Sequence, residues 1–278
     1  MDFTLETYRN LLSCLQSIFE NFLPFKDCLL LNHSANDRIL HSTVILRHDV
    51  DLIPQNALKI AQLESSLGIR GTYYFRIVPE SYHLTIMSQI AGLGHEIGYH
   101  YEDVDLVLTN NKELYTKNKE HLIDAAYESF SKNLELFRQN FEIKTICMHG
   151  SPRAKYDNRM LWEKYNYKEL GLIGEPYFDI DVNEFAYFTD TGRRWNGSRL
   201  SVRDKVDSKY DFDFSSTQQI IDNRDRLPSK IMFTIHPQRW HDSAFPWLRE
   251  LIWQNAKNII KTIIIKSNKS AYGGMMLM

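Results

Sequence analysis

Several apolar runs in this 278-residue chain end in ionisable side chains, and segments of helical spacing separate them. Val44-Ile45-Leu46 leads into Arg47-His48-Asp49-Val50-Asp51, and the run after Gly94 reaches His100 and Glu102. Two further runs, Lys144 to Met148 and Ile231 to Ile235, reach His149 and His236. Strands alternating with helices predict a mainly parallel sheet, open or closed into a barrel. Functional groups of such sheets gather at the carboxyl ends of the strands. Polar residues placed at successive strand tips therefore mark that edge as the place for chemistry.

Within the first of these stretches the side chains alternate with period two. Arg47, Asp49 and Asp51 share one side, while Val44, Leu46, His48 and Val50 share the other. Carboxylates brought close together repel unless a cation sits between them or one holds a proton, so this side suits a metal or a proton transfer. In Gly94-His95-Glu96-Ile97-Gly98-Tyr99-His100-Tyr101-Glu102, the same period puts Glu96, His100 and Glu102 on one face. His100 with Glu102 is an N,O pair for zinc or a similar divalent ion, which takes three protein ligands and a water when catalytic. Joined to Asp51, they predict a metal site. His236, at a strand end before Pro237, suits a general acid. His149 and Arg153 bring an imidazole and a cation to the turn after Cys147, suited to substrate contact or to orienting a carboxylate. Arg193, Arg194 and Trp195 combine guanidinium forks with an indole that would stack on a sugar face. The same string also suits a solvated loop around a packing Trp.

Neither composition nor charge points elsewhere. Hydrophobic content of 43% with 24% charged residues is that of a globular chain, and a net charge of −2 argues against nucleic-acid or membrane partners. The acidic start MDFTLETYRNLLSCLQ lacks a secretory pattern. No run nears the roughly 20 apolar residues that span a bilayer. Cys14, Cys28 and Cys147 are unpatterned, as in a reducing compartment, so a cytoplasmic location is expected. No Gly-x-Ser-x-Gly elbow or phosphate-binding glycine pattern occurs. Residues 3–22 read as an amphipathic helix, 112–138 as a long helix, 171–173 as a strand and Trp247 to Ile265 as a closing helix. One barrel domain over 43–278, preceded by a helical extension over 1–42, is the simplest organisation.

The motifs, in this order, resemble those of the polysaccharide deacetylase family, the NodB-homology or carbohydrate esterase 4 family. Ile45 to Asp51 resembles its first motif, and Gly68-Ile-Arg-Gly-Thr-Tyr-Tyr-Phe75 its next strand. Gly94 to His100 is close to Gly-His-Glu-Ile-Gly-Asn-His, and Thr234-Ile-His-Pro237 resembles the closing histidine motif. The His-Asp-Val-Asp variant is similar to a branch associated with bacterial surface-glycan biosynthesis. The resemblance implies a distorted (β/α) barrel and metal-assisted removal of an acyl group, acetyl first, from a sugar or a glycan precursor. It implies Asp49 as catalytic base, Asp51 and His100 as ligands of a divalent ion, zinc first, and His236 as general acid. Two departures stand out. Val50 occupies the place of the family's second tandem Asp, so Asp51 supplies the ligand one residue late. Val104 occupies the place of the second histidine, and Glu102, Asp103 or His149 must substitute, with Glu102 the first choice. A non-catalytic glycan or nucleotide-sugar binding relative and a small-molecule deformylase or amide hydrolase are the alternative readings.

Overall fold

The run Thr43–Val50 is apolar and β-branched at its start, and as strand β2 every one of its residues is buried. Burial on both faces belongs to a parallel sheet covered on both sides. The computed structural model describes residues 1–32, 41–110, 118–150, 154–196, 209–210 and 212–255. In it β2 lies inside a 7-stranded sheet with β1 (Asn21–Phe22), β3 (Thr72–Phe75), β4 (Glu96–Tyr101), β5 (Ile146–Met148), β6 (Ala186–Thr189) and β7 (Lys230–Ile235). The order is β5-β4-β3-β2-β7-β6, with β1 beside β2. All pairings are parallel, so the carboxyl ends of the strands emerge together. β7 pairs along Thr43–His48 of β2, while β1 (at Thr43 and Val44) and β3 (from Arg47 to Val50) follow one another on the other edge. The sheet curls into a half-barrel flanked by helices, a mixed α/β form compatible with a distorted barrel.

The helices are α1 (Leu5–Gln16), α2 (Phe25–Asn32), α3 (Pro54–Ser66), α4 (Leu84–Gly92), α5 (Asp103–Asn110), α6 (Lys119–Arg138), α7 (Pro176–Asp179) and α8 (Thr217–Asp222). Residues 244–255 are also helical. Pro54 opens α3 with its ring-fixed φ, and Gly68, at φ 71, turns the chain out after it. α1, α3, α4 and α6 cover the outer face of the sheet, where Val44, Leu46, Val50, Tyr73 and Phe75 point. Ile45, Tyr74, Cys147 and Met232 point inward and meet Phe25, Cys28 and Leu29 of α2. Gly98 on β4 lets the Tyr74 ring cross that inner face: a Cβ there would lie 2.4 Å from the ring.

Residues 1–32 do not stand apart as an extension. Phe3, Tyr8, Leu11, Leu12 and Leu15 belong to the main core, and β1 is a strand of the sheet. The helix expected over 3–22 stops at Gln16 because the chain then turns into β1. Of the single helix expected over 112–138, residues 112–117 lie outside the described residues; α6 starts at Lys119, capped by Asn118, and the separate α5 precedes it. Residues 171–173 form no strand: Gly171, at φ 73, closes a short 3-10 helix, and only Gly174 bridges to Thr145. Of the closing helix, the part beyond residue 255 lies outside the described residues. No helix among the described residues is long and apolar enough to cross a membrane.

Candidate metal centre

Parallel strands deliver one polar group each to a common edge, and here they converge on Asp51. β2 supplies Asp49 and, one residue past its end, Asp51; β4 supplies His100 and then Glu102; β5 is followed by His149. Asp51 Oδ1 lies 3.5 Å from His100 Nε2 and 3.6 Å from His149 Nε2. Ligands of a tetrahedral ion with bonds of about 2.0–2.1 Å stand about 3.4 Å apart, so each of the two separations by itself suits a pair of ligands. Asp51 Oδ1 is also buried with no hydrogen-bond partner among the described residues. A buried acceptor left unpaired is costly, and a cation at this point satisfies it.

Both imidazoles are held so that Nε2 faces Asp51. His100 Nδ1 donates to the Cys147 carbonyl at 2.9 Å, and His149 Nδ1 pairs with Glu102 Oε2 at 2.7 Å. A backbone carbonyl or carboxylate on the far nitrogen is how metal-binding histidines are oriented. Glu102, expected as the third ligand, faces an arginine as Asp49 does. Arg76 grips both its oxygens at 2.8 Å, and its remaining contact is His149. His149, expected among the substrate contacts, stands with Nε2 3.6 Å from Asp51 Oδ1, beside His100. Burial raises the pKa of Asp51, but the His100 imidazole 3.5 Å away and the charges of His149 and His236 outweigh it and hold the carboxyl well below its usual range. Gln238 Nε2 donates to the other oxygen of Asp51 at 3.1 Å.

Asp49 has a different partner. Arg47, two residues earlier on the same face, donates Nε and Nη2 to its two oxygens at 2.9 and 2.7 Å. Burial pushes Asp49 up, Arg47 and His100 pull it down further, and the carboxylate stays ionised. Its Oδ2 is 3.8 Å from His100 Nε2. Asp49, His100 and Cys147 form a buried cluster whose ligand atoms all lie within 4.8 Å of one another, a set that could also bind a metal ion.

On the far side, β7 presents His236, whose Nδ1 is 2.6 Å from Asp190 Oδ1. Asp190 directly follows β6 and is fully buried, and Arg239 and Trp240 also donate to it. Burial raises its pKa, yet Arg239 and His236 bring it below the usual range. Arg239 Nη1 also lies 2.9 Å from His236 Nδ1, so Asp190 and Arg239 together fix that edge of the ring and leave Nε2 on the other side. Sequence reading passed over Asp190, although it sits at a strand tip like the others.

The remaining expected contacts are not at the centre. Trp195 is 2% exposed, donates to Thr217 and packs on Phe3, Phe233 and Trp240, so it has no face left for a sugar. Arg193 is buried, donating to the carbonyls of Asp2 and Arg239 and stacking on Phe3 and Trp247. Arg194 is exposed and bonds its neighbour Asn196. Arg153 lies outside the described residues. The cleft above Asp51 and His149, of about 780 Å³, is lined instead by Arg76, Arg239, Arg249 and Trp253, the last 59% exposed. No family model matches the chain, and no curated protein is detectably similar to it.

Proposed function

We propose that the protein is a metal-dependent hydrolase on a NodB-type barrel that removes an N- or O-acyl group, acetyl first, from a sugar or glycan precursor. The observation that carries this reading is Asp51 Oδ1, buried and unpartnered among the described residues between His100 and His149 at 3.5 and 3.6 Å. Asp51, His100 and His149 would hold the ion, and one oxygen with two nitrogens suits zinc. Bound there, a divalent ion supplies Lewis acidity, polarising a carbonyl and bringing a water's pKa toward about 7.

The protein's own groups divide the proton traffic. Asp49, kept ionised by Arg47, accepts the proton of the attacking water. His236, with Nδ1 held by Asp190, donates from Nε2 to the leaving nitrogen or oxygen. The base lies on β2 two residues before Asp51 and the acid follows the neighbouring strand β7, so the two come from adjacent strand tips. The cleft's indole at Trp253 offers a stacking face for a sugar ring, and Arg249 an exposed cation.

Protein purified without chelator is expected to carry stoichiometric metal and to release acetate from acetylated amino sugars. Asp49→Asn should reduce turnover by about 10²–10⁴-fold while metal content is unchanged. Formate release in place of acetate would redirect the substrate assignment. Chain purified metal-free and unable to take up zinc would refute the reading.

A further inference from the structure

Resting on the assignment of Asp51, His100 and His149 as the working site, we propose that Asp49, His100 and Cys147 form a second, softer metal site. A thiophilic ion bound there withdraws His100 and the base Asp49 together and shuts the centre down. The register of β4 with β5 sets His100 directly opposite Cys147. Both point to the inner face, and their ligand atoms lie within 4.8 Å of each other and of an Asp49 oxygen. Zinc–sulfur and zinc–nitrogen bonds of about 2.3 and 2.0 Å need that span to close only slightly, which side-chain rotation supplies.

Arg47 lies close enough to Cys147 for their charges to interact, and its Nη1 is a buried donor with no hydrogen-bond partner among the described residues. On coordination the S–H proton leaves to solvent, and a metal–sulfur bond replaces it. Thiolate selects soft and borderline ions such as cadmium, cuprous copper and zinc, whereas the oxygen and nitrogen set of Asp51 does not require softness. The two sites exclude one another. His100 Nδ1 is committed to the Cys147 carbonyl, so a single lone pair, on Nε2, serves both. The same strand tips that build the centre thus make it sensitive to thiophilic metals.

The test uses metal-free full-length protein carrying Cys14→Ser and Cys28→Ser, so that Cys147 is the sole thiol, titrated with cadmium chloride alone. A saturable thiolate-to-cadmium absorption band is expected, and X-ray absorption of the loaded protein should show one sulfur among nitrogen and oxygen ligands. Coordination by nitrogen and oxygen alone, or no band, overturns the proposal. Asp51→Asn in this background should lose zinc-supported turnover yet keep the cadmium–sulfur band, so the two assignments fail independently. Cys147→Ser, if it folds, should need about tenfold more cadmium for half-inhibition, and an unchanged inhibition curve would count against the site. Should that variant not fold, the absorption result on the parent decides.

Discussion

The two faces of β2 carry similar residues to opposite ends. On the inner face, Arg47, Asp49 and Asp51 meet His100 and His149, and an oxygen and a guanidinium nitrogen remain buried without partners among the described residues. On the outer face, His48 meets Glu64 at 2.8 Å, and Tyr8 and Tyr73 also donate to Glu64. His48 Nδ1 donates to the Thr72 carbonyl, and its ring stacks on Tyr73 at 4.0 Å. His95 closes the cluster, accepting from the Gly71 amide and facing the Ala61 carbonyl. The outer cluster is complete in itself and therefore structural. The inner one is completed only by something added. Buried polar groups that satisfy one another rigidify a core, whereas those left short of a partner signal a ligand.

Exchanging charge for amide on each face should separate these roles most sharply. Asp51→Asn is expected to reduce zinc-supported turnover by about 10³-fold or more, with the melting temperature of chelator-treated protein moving by less than about 3 °C. Glu64→Gln breaks a buried ion pair and should cost about 3–5 kcal/mol of stability, with zinc binding intact in the protein that remains folded. Calorimetry and metal analysis of both variants check the contrast. A stable Glu64→Gln protein would remove the structural assignment of the outer cluster.

The faces should also differ in pH response. Burial raises Glu64, the charge of His48 outweighs this, and its pKa ends below the usual value. Its contribution is thus present above the unfolded pKa and lost as pH falls through the folded one. Glu175, on the inner side near Arg47, is pushed up to about 7 by burial. Between about pH 4.5 and 7 the unfolded chain has released this proton and the folded chain keeps it, so stability falls by up to ~3 kcal/mol as pH rises. Denaturant titrations should show that decline flattened in Glu175→Gln; a parallel curve would refute it.

Smaller effects belong to the groups that orient rather than ligate. Glu102→Gln should weaken zinc binding by about 10–100-fold through loss of the His149 anchor, as measured by competition with a chromophoric chelator. Were Glu102 itself a ligand, the loss would match that of Asp51→Asn. Arg194→Ala, outside both faces, should change stability and turnover by less than about 0.5 kcal/mol, a baseline for the others.

The strand tips were readable because chemistry there follows local order: an apolar run, then an ionisable residue, repeated along the chain. Asp49, Asp51, His100 and His236 all obeyed that rule, and Asp190 obeyed it unnoticed because Arg193, Arg194 and Trp195 beside it drew the attention. Those three failed as cleft residues because a guanidinium or an indole reads alike whether it faces solvent or core. Spacing put Glu102 near His100 but carried no sign of Arg76, which follows β3 and binds both its oxygens.

Period and composition were enough to settle the alternation of strand and helix, the parallel sheet and the edge where ionisable groups collect, since these depend on neighbours within a few residues. Which histidine comes to face Asp51, that Arg76 binds Glu102 and which aromatic faces the cleft depended on packing between segments distant in the chain. A side chain's partner is chosen by distances of a few ångströms across the fold, and linear spacing carries no record of them.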